Sequence, residues 1–284
     1  MSPAVMTAHW TRVGIVPATA LTDARLQLHH AAQIAVSAAI SYIPARSDDS
    51  HTALSWSAPL GALVTEPITA ARQYRIAVRV KDLTLHAVDE NGGTWSSFAL
   101  PGRTIADGLG WLAKVSAEAG QDAARLTARK HYTIPTHVVA SAGKFSKGMD
   151  AELGELSHYW SNAAGLLEAI ASRTEGASPV RTWPHHFDIA TLIELPGAPR
   201  RTVGAGQSPG DDSYAQPYWY VGPYPYPPIA NLPGLAGGGH WHTEGWVGAA
   251  LPATGYLAAP DQRAQVSAFI DSAVDACRTL LARP

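Results

Sequence analysis

The heptapeptide Trp95-Ser-Ser-Phe-Ala-Leu-Pro101 recurs as Trp246-Val-Gly-Ala-Ala-Leu-Pro252, and both copies follow the pattern Trp-x-x-x-Ala-Leu-Pro. Each copy precedes a segment with helical periodicity. Upstream of each copy, in the same order, lie a predicted helix and a further tryptophan, which is Trp56 in the first half and Trp183 in the second. The shared order predicts two diverged copies of one helix–strands–helix unit.

The repeat divides the 284 residues into four predicted segments. These are an N-terminal arm over 1–20, a first repeat unit over 21–120, a connection over 121–149 and a second repeat unit over 150–284. Duplicated units often pair as symmetric dimers do and bury a shared core. We therefore expect an α+β protein in which two pseudo-symmetric repeats pack into one compact body.

Local patterns predict the individual elements. Thr22 or Asp23 is expected to cap the first helix, and Asp261 the last. Alternating apolar residues predict a strand over Tyr74–Lys81, and Asp89–Gly93 has the composition of a hairpin turn. Further extended segments are predicted at Val138–Ala140, Val180–Leu195, Tyr214–Val221 and His240–Leu251.

Composition and charge narrow the classes of partner. The net charge is −2 and the pI is near 6.6, so the chain offers no basic field and we expect no nucleic-acid partner. Cys277 is the single cysteine, which rules out an internal disulfide and favours a reducing, cytoplasmic location. The apolar run Ala31–Ile43 is too short and too polar to span a bilayer, and residues 1–17 lack the pattern of a signal peptide.

The two copies differ in their ionisable residues. The first reads Trp56-Ser-Ala-Pro-Leu-Gly61, whereas the second reads Trp183-Pro-His-His-Phe-Asp188 and later adds His240, His242 and Glu244. Side chains two apart on a strand share a face. We therefore expect the last three residues to point the same way.

His186 and Asp188 are expected to share a face as well, if their segment is extended. Two histidines on one strand with a carboxylate form the ligand set of catalytic zinc or non-haem iron sites. The predicted metal ligands are His186, Asp188, His240, His242 and Glu244. Among them His186, Asp188 and Glu244 are the candidates for acid–base work, and Asp188 is alternatively a carboxylate that orients a ligand histidine.

Other interpretations of these residues stay open. His185 and His186 would equally fill space beside Phe187 with their ring nitrogens bonded to the main chain. His240 and His242 follow three glycines and would then lie on an exposed loop. A metal-free pocket that uses the same side chains as acids and bases is a further alternative.

The segment from Tyr214 to Pro228 is dense in tyrosine and proline. It is expected either to line an apolar pocket or to form a rigid cover over the core of the second unit. The candidate pocket residues are Trp183, Tyr218, Trp219, Tyr220 and Trp241.

The run Trp183-Pro-His-His-Phe-Asp-Ile-Ala190, with the Tyr/Pro-rich segment, resembles an uncharacterised bacterial domain family of unknown function. The resemblance extends from about residue 20 to the end of the chain. It implies no activity and no catalytic residue.

The sequence thus predicts a metal-dependent enzyme that acts on a small, partly apolar molecule. Zinc would favour hydrolysis, and iron would favour oxygen chemistry. The alternatives are a non-catalytic small-molecule-binding protein with an aromatic-lined pocket, and an interaction module without a pocket. The sequence does not determine the substrate, the metal or the oligomeric state.

Overall fold

The computed structural model describes residues 10–282, which divide into two units. The first unit contains residues 20–157 and 181–187. The second contains residues 10–19, 158–180 and 188–282. Of the predicted arm over 1–20, residues 1–9 lie outside the described part of the chain and most of the rest belongs to the second unit. The chain contains helices and antiparallel sheets and is therefore an α+β protein.

The long helices lie at the ends predicted for the two repeats. Their bounds are α1 Thr22–Tyr42, α2 Ile105–Glu118, α3 Asp150–Arg173 and α4 Gln262–Ala282. Thr104 caps α2 in a reciprocal capping box with Asp107, and Asp261 accepts a hydrogen bond from the Ala264 amide at the start of α4. The α3 helix begins in the first unit, and its residues from His158 onward belong to the second.

An antiparallel meander forms the sheet of the first unit. Its strands pair in chain order and are β1 Ser55–Ser57, β2 Ala62–Val64, β3 Tyr74–Arg79, β4 Thr84–Asp89 and β5 Thr94–Ala99. The predicted hairpin turn is confirmed, because the Asp89 carboxylate accepts hydrogen bonds from the amides of Asn91 and Gly93. A short strand, β6 Arg181–Thr182, also belongs to this unit, where Thr182 forms a bridge with Leu54.

The sheet of the second unit has the order β10–β11–β9–β8–β7. Its strands are β7 Ile189–Leu195, β8 Arg201–Ser208, β9 Tyr218–Tyr224, β10 His240–His242 and β11 Gly248–Pro252. One face packs against α4 and carries Trp219, Val221, Val203 and Leu251, all almost fully buried. The other face carries Tyr218 and Tyr220, because neighbouring residues on a strand point to opposite sides.

Several local predictions are wrong. Neither Thr22 nor Asp23 caps α1; a 3-10 turn over Ala18–Leu21 precedes the helix, and Leu21 makes no side-chain cap. A 3-10 turn, not a strand, covers Val138–Ser141. The strand expected over Tyr214–Val221 begins only at Tyr218, because an aspartate-centred turn occupies the preceding residues.

Two longer segments are also broken where a continuous extended chain was expected. Residues 184–186 form a turn between β6 and β7, and the chain from Thr243 to Val247 leaves the sheet between β10 and β11. The Phe187 amide donates to the Trp183 carbonyl at 2.7 Å, and Phe187 has a φ of 60°. This left-handed residue redirects the chain, so His186 and Asp188 do not share the face of a strand.

Within residues 10–282, no helix combines the length and the apolar character that crossing a bilayer requires.

Candidate functional site

A turn centred on Asp211 places the first side chain of the candidate site. The Asp211 Oδ1 accepts hydrogen bonds from the amides of Ser213 at 2.8 Å and Tyr214 at 3.2 Å. The Asp211 amide in turn donates to the Tyr214 carbonyl at 2.8 Å. An aspartate commonly closes a turn in this way. The closed turn fixes the direction of the Tyr214 phenol.

The Tyr214 hydroxyl lies between the two histidines of β10. Its Oη is 3.0 Å from His240 Nε2 and 3.1 Å from His242 Nδ1. The other ring nitrogen of His242, Nε2, is 2.6 Å from the main-chain carbonyl of Glu244. A carbonyl oxygen only accepts, so His242 Nε2 carries the proton.

This proton fixes the direction of the remaining hydrogen bonds. With neutral rings, His242 Nδ1 accepts a hydrogen bond from the Tyr214 hydroxyl. The Tyr214 oxygen then accepts from His240 Nε2–H. Both imidazoles and the phenol therefore direct one polar atom each to the same small region.

Trp246 holds His242 from the loop after β10. Its ring stacks on the imidazole with centroids 4.3 Å apart, and its indole N–H donates to Ser213 Oγ at 3.2 Å. The same ring covers Gly248, where a Cβ atom would lie 2.6 Å from it. The turn after β8 and the loop after β10 are thus joined around the two histidines.

Two further tyrosines of β9 end on carboxylates. Tyr218 donates to Asp211 Oδ2 at 2.5 Å, and Tyr220 donates to Asp188 Oδ2 in a very short contact. Burial, reinforced by the nearby carboxylates, raises the pKa of both phenols well above the usual value. Both therefore remain protonated donors at neutral pH. The Tyr218 ring lies 4.7 Å from the Tyr214 ring, which links these contacts to the histidines.

Glycines occupy the sheet face beside this cluster. We call the surface formed by Gly204, Gly222 and Leu192 the glycine face. Gly222 comes two residues after Tyr220 on β9, Gly204 pairs with Gly222, and Leu192 pairs with Gly204. A Cβ atom at Gly222 would meet nothing within 4 Å, and one at Gly204 would have its nearest neighbours at 3.9 Å. Leu192 is 38% exposed. The main chain is therefore uncovered here, and a flat molecule has room to lie on it.

The structure brings only part of the predicted ligand set together. His240 and His242 meet at Tyr214, as described above. Glu244 is exposed and reaches His242 only through its main-chain carbonyl, while Asp188 contacts Tyr220. His186 belongs to the first unit, where it is exposed and its ring lies 4.4 Å from that of His185. Within residues 10–282, no three His, Cys, Asp or Glu side chains are grouped to hold a metal.

The predicted pocket residues also separate. Trp219 is 1% exposed, stacks with Trp10 at 6.5 Å and lies on the sheet face opposite Tyr218 and Tyr220. Trp183 belongs to the first unit and packs edge-on against His185. The Trp241 indole donates to the Pro233 carbonyl at 2.7 Å, which joins β10 to the loop between β9 and β10.

Sequence reasoning missed three residues that build the site, namely Tyr214, Asp211 and Trp246. Asp211-Asp212-Ser213 has the composition of a turn, but the sequence does not show which side chain that turn positions. Two features of the sequence were available as signals. One is the tyrosine directly after the turn, and the other is that His240, His242 and Glu244 precede Trp246 whereas the hairpin turn Asp89–Gly93 precedes Trp95.

We expect Gly206→Ala to destabilise the protein by about 1–3 kcal/mol, because the site is already filled. A Cβ atom there would lie 2.7 Å from Tyr220 Oη and 2.8 Å from both Ala190 Cβ and the Ile189 carbonyl. Urea unfolding measures the loss. Gly204→Ala is the matched control on the same strand and face, and we expect it to be neutral or stabilising by up to about 1 kcal/mol. Equal losses in the two variants would show that the Tyr220 contact is not the cause.

Comparison of the chain with family models, curated proteins and solved structures yields no match in any of the three.

Proposed function

We propose that the second unit is a metal-dependent enzyme whose centre consists of Tyr214, His240 and His242. The observation that carries the proposal is the convergence of two imidazole nitrogens on one phenol oxygen, at 3.0 and 3.1 Å. Tyr214 takes the place that a carboxylate of Glu244 or Asp188 was expected to hold. The donor set becomes two nitrogens and one oxygen.

The separations of these atoms suit a shared metal. Zinc and similar ions are bound at about 2.0–2.2 Å, so two ligands of one ion are about 2.8–3.6 Å apart. Both distances from Tyr214 Oη lie within this range. Three protein ligands would leave positions open for water or substrate, as catalytic sites do. When bound, zinc would supply an activated water, and iron would supply a site for oxygen.

Proton release is a consequence of this ligand set. Burial and the Asp211 carboxylate raise the pKa of the Tyr214 phenol above its usual value, so the free site holds a protonated tyrosine at neutral pH. A phenolate ligand forms only when that proton leaves. Metal affinity should therefore increase with pH through the neutral range.

The substrate side of the proposal rests on the glycine face. Its uncovered main chain lies beside Tyr220, whose pKa is raised and whose hydroxyl is held by Asp188. A flat, partly apolar molecule would find surface area on the glycines and on Leu192. Asp188 then serves as a positioning residue for Tyr220 and not as a metal ligand.

The first test is metal binding by the full chain. Elemental analysis after reconstitution with Zn²⁺ or iron should give about one equivalent in the native protein and a clear loss in the His240→Ala/His242→Ala double variant. With ferric iron, a phenolate ligand gives a visible charge-transfer band. Tyr214→Phe should abolish the band, and Tyr226→Phe, at an exposed tyrosine of the same unit, should retain it.

Two outcomes would contradict the proposal. One is a native protein that takes up neither metal after reconstitution. The other is an equal metal content in the native protein, the double variant and Tyr214→Phe. Thermal unfolding of each variant is measured alongside, so that loss of metal is separated from loss of fold.

The alternative to a metal-dependent enzyme is a non-catalytic small-molecule-binding protein, which the open glycine face favours. Ligand binding without metal uptake would support it, and Gly222→Trp, which covers the face, should abolish such binding. Retained binding in that variant would contradict this alternative.

We also infer that the two units arose by duplication. Each has a long helix, an antiparallel sheet and a final helix in the same chain order. The strands of the first sheet pair in chain order, and those of the second do so except for β10, which pairs at the edge beyond β11. The two Trp-x-x-x-Ala-Leu-Pro heptapeptides accompany the last strand before the final helix, β5 in one unit and β11 in the other. The extra length of the second unit lies between β9 and β11, around β10. An experimental structure in which β7, β8, β9 and β11 do not pair in that order, as β2, β3, β4 and β5 do, would contradict duplication.

A further inference from the structure

A segment without regular strands or long helices covers α1 within the first unit. We call residues 123–141 the strap. Hydrogen bonds join it to α1, and their pairs are Arg125 with Ser41, Thr127 with Ser41, Tyr132 with Gln33, and Pro135 with His30. The strap therefore runs along the helix in the opposite direction. These bonds fix the strap against α1 from Arg125 to Pro135.

A cavity of about 270 Å³ lies between α1, α2 and the strap. Apolar side chains dominate its walls, with Ile34 from α1, Ile105 and Leu109 from α2, and Ile134 from the strap. Pockets for drug-sized ligands have volumes of about 300–1,000 Å³, so this one suits a smaller molecule.

One positively charged side chain, that of Lys130, lines this apolar cavity. Lys130 of the strap faces the cavity, and its Nζ donates to the Ala128 carbonyl at 3.2 Å. Within residues 10–282, Lys130 forms no salt bridge, and the cavity walls contain no carboxylate. Burial lowers the pKa of the amine. A partly buried ammonium without a counter-charge is costly, and an anion beside it would offset that cost.

The other titratable group in the cavity wall does not compete for an anion. His30 also lines the cavity, and its Nε2 lies 3.0 Å from the Pro135 carbonyl, so that nitrogen donates to the strap. Burial lowers the pKa of His30, and nearby Lys130 lowers it further. The imidazole is therefore neutral at neutral pH, and the positive charge in the cavity is that of Lys130.

We propose that this cavity binds a small aliphatic monocarboxylate, with the carboxylate on Lys130 and the chain among Ile34, Leu109 and Ile134. The negative charge of such a ligand complements Lys130, and its short apolar chain complements the apolar walls of the cavity. The site lies in the first unit and shares no residue with Tyr214, His240 and His242. Its test is therefore independent of the proposed metal centre.

Calorimetry on the full chain tests the proposal with acetate, butanoate, hexanoate and octanoate, and with the alcohols of matching length. Affinity for the carboxylates should increase with chain length until the cavity is full and then stop increasing. The alcohols should bind at least about tenfold more weakly, because they lack the charge-assisted hydrogen bond to Lys130.

Variants separate the charge from the cavity. Lys130→Met keeps an unbranched side chain and should abolish the preference for carboxylate over alcohol. Lys144→Met removes an exposed lysine of the same unit and should bind as the native protein does. Leu109→Trp fills the cavity and should abolish binding of both ligand series. Urea unfolding of each variant confirms that it folds.

The proposal is overturned if no carboxylate binds the native protein, or if Lys130→Met retains the preference for carboxylate. It is likewise overturned if Lys144→Met loses binding as Lys130→Met does, since binding would then reflect surface charge. Equal affinity for alcohols and carboxylates in the native protein would leave an apolar cavity without an anion site and would also contradict the proposal.

Discussion

Trp219→Ala is expected to lower the free energy of unfolding by about 3–5 kcal/mol, the cost of removing a large aromatic side chain from a close-packed core. Trp219 is 1% exposed, and it lies on the face of the second sheet that packs against α4. Its ring also stacks with Trp10 at 6.5 Å, so the substitution removes the aromatic partner of Trp10 as well. Urea denaturation measures the loss.

The control is Tyr226→Ala, an aromatic truncation in the same unit at a position that is 57% exposed. We expect it to change stability by less than about 0.5 kcal/mol. A loss at Trp219 as small as that at Tyr226 would contradict the assignment of Trp219 to the core. It would instead favour the exposed pocket wall that the sequence suggested.

The Trp219 result also separates what the sequence could predict from what it could not. Composition marks Tyr218, Trp219 and Tyr220 alike as an aromatic cluster. Strand alternation sends the middle residue to one face and its neighbours to the other. That division requires the strand to be identified first, and the strand was predicted to begin four residues too early.

Helices and the first hairpin were predictable because their signals are local. The Thr104–Asp107 capping box and the Asp89 turn each depend on a few neighbouring residues. Strand β8 was missed because Gly204 and Gly206 interrupt its pattern, and glycine is disfavoured in strands. Main-chain pairing with β7 and β9 holds β8 in place, and that pairing is not visible in the local sequence.

The candidate site was half predictable for the same reason. The His-x-His spacing on β10 correctly placed His240 and His242 on one face. Their third partner comes from Tyr214, 26 residues from His240, and its position depends on the turn at Asp211. Glu244 had the right spacing for a strand, but the strand ends at His242. Spacing predicts a shared face only as far as the strand continues.

Acidification is expected to destabilise the protein between about pH 6.5 and about pH 4, and His29 of α1 is one of the groups responsible. His29 is 4% exposed, its Nε2 donates to the Pro184 carbonyl at 2.8 Å, and its ring stacks on Phe187 at 4.4 Å. Burial lowers the pKa of His29 from 6.5 to about 4; the hydrogen bond to Pro184 opposes this shift, and Arg25 and the neighbouring histidines add to it.

The sign of the effect follows from which state binds the proton. Above about pH 6.5 the imidazole is neutral in both the folded and the unfolded chain, and it makes no contribution to pH dependence. Below that pH the His29 imidazole becomes protonated in the unfolded chain, whereas in the folded chain it stays neutral until about pH 4. Stability therefore falls as the pH decreases across this window. The full difference corresponds to about 3 kcal/mol, because each pKa unit is worth about 1.4 kcal/mol.

His29→Gln tests this assignment, because glutamine retains an amide donor and does not titrate. Urea unfolding at about pH 7.5 and about pH 4.5 should show a decline in stability that is smaller than in the native protein by about 2–3 kcal/mol. Groups that do not interact with His29 affect both proteins alike, so the difference measures His29 together with its electrostatic coupling to His30 and His185. His186→Gln, at an exposed histidine of the turn that contains Pro184, should keep the native decline to within about 0.5 kcal/mol. If His29→Gln loses as much stability on acidification as the native protein does, His29 does not contribute to the pH dependence of stability.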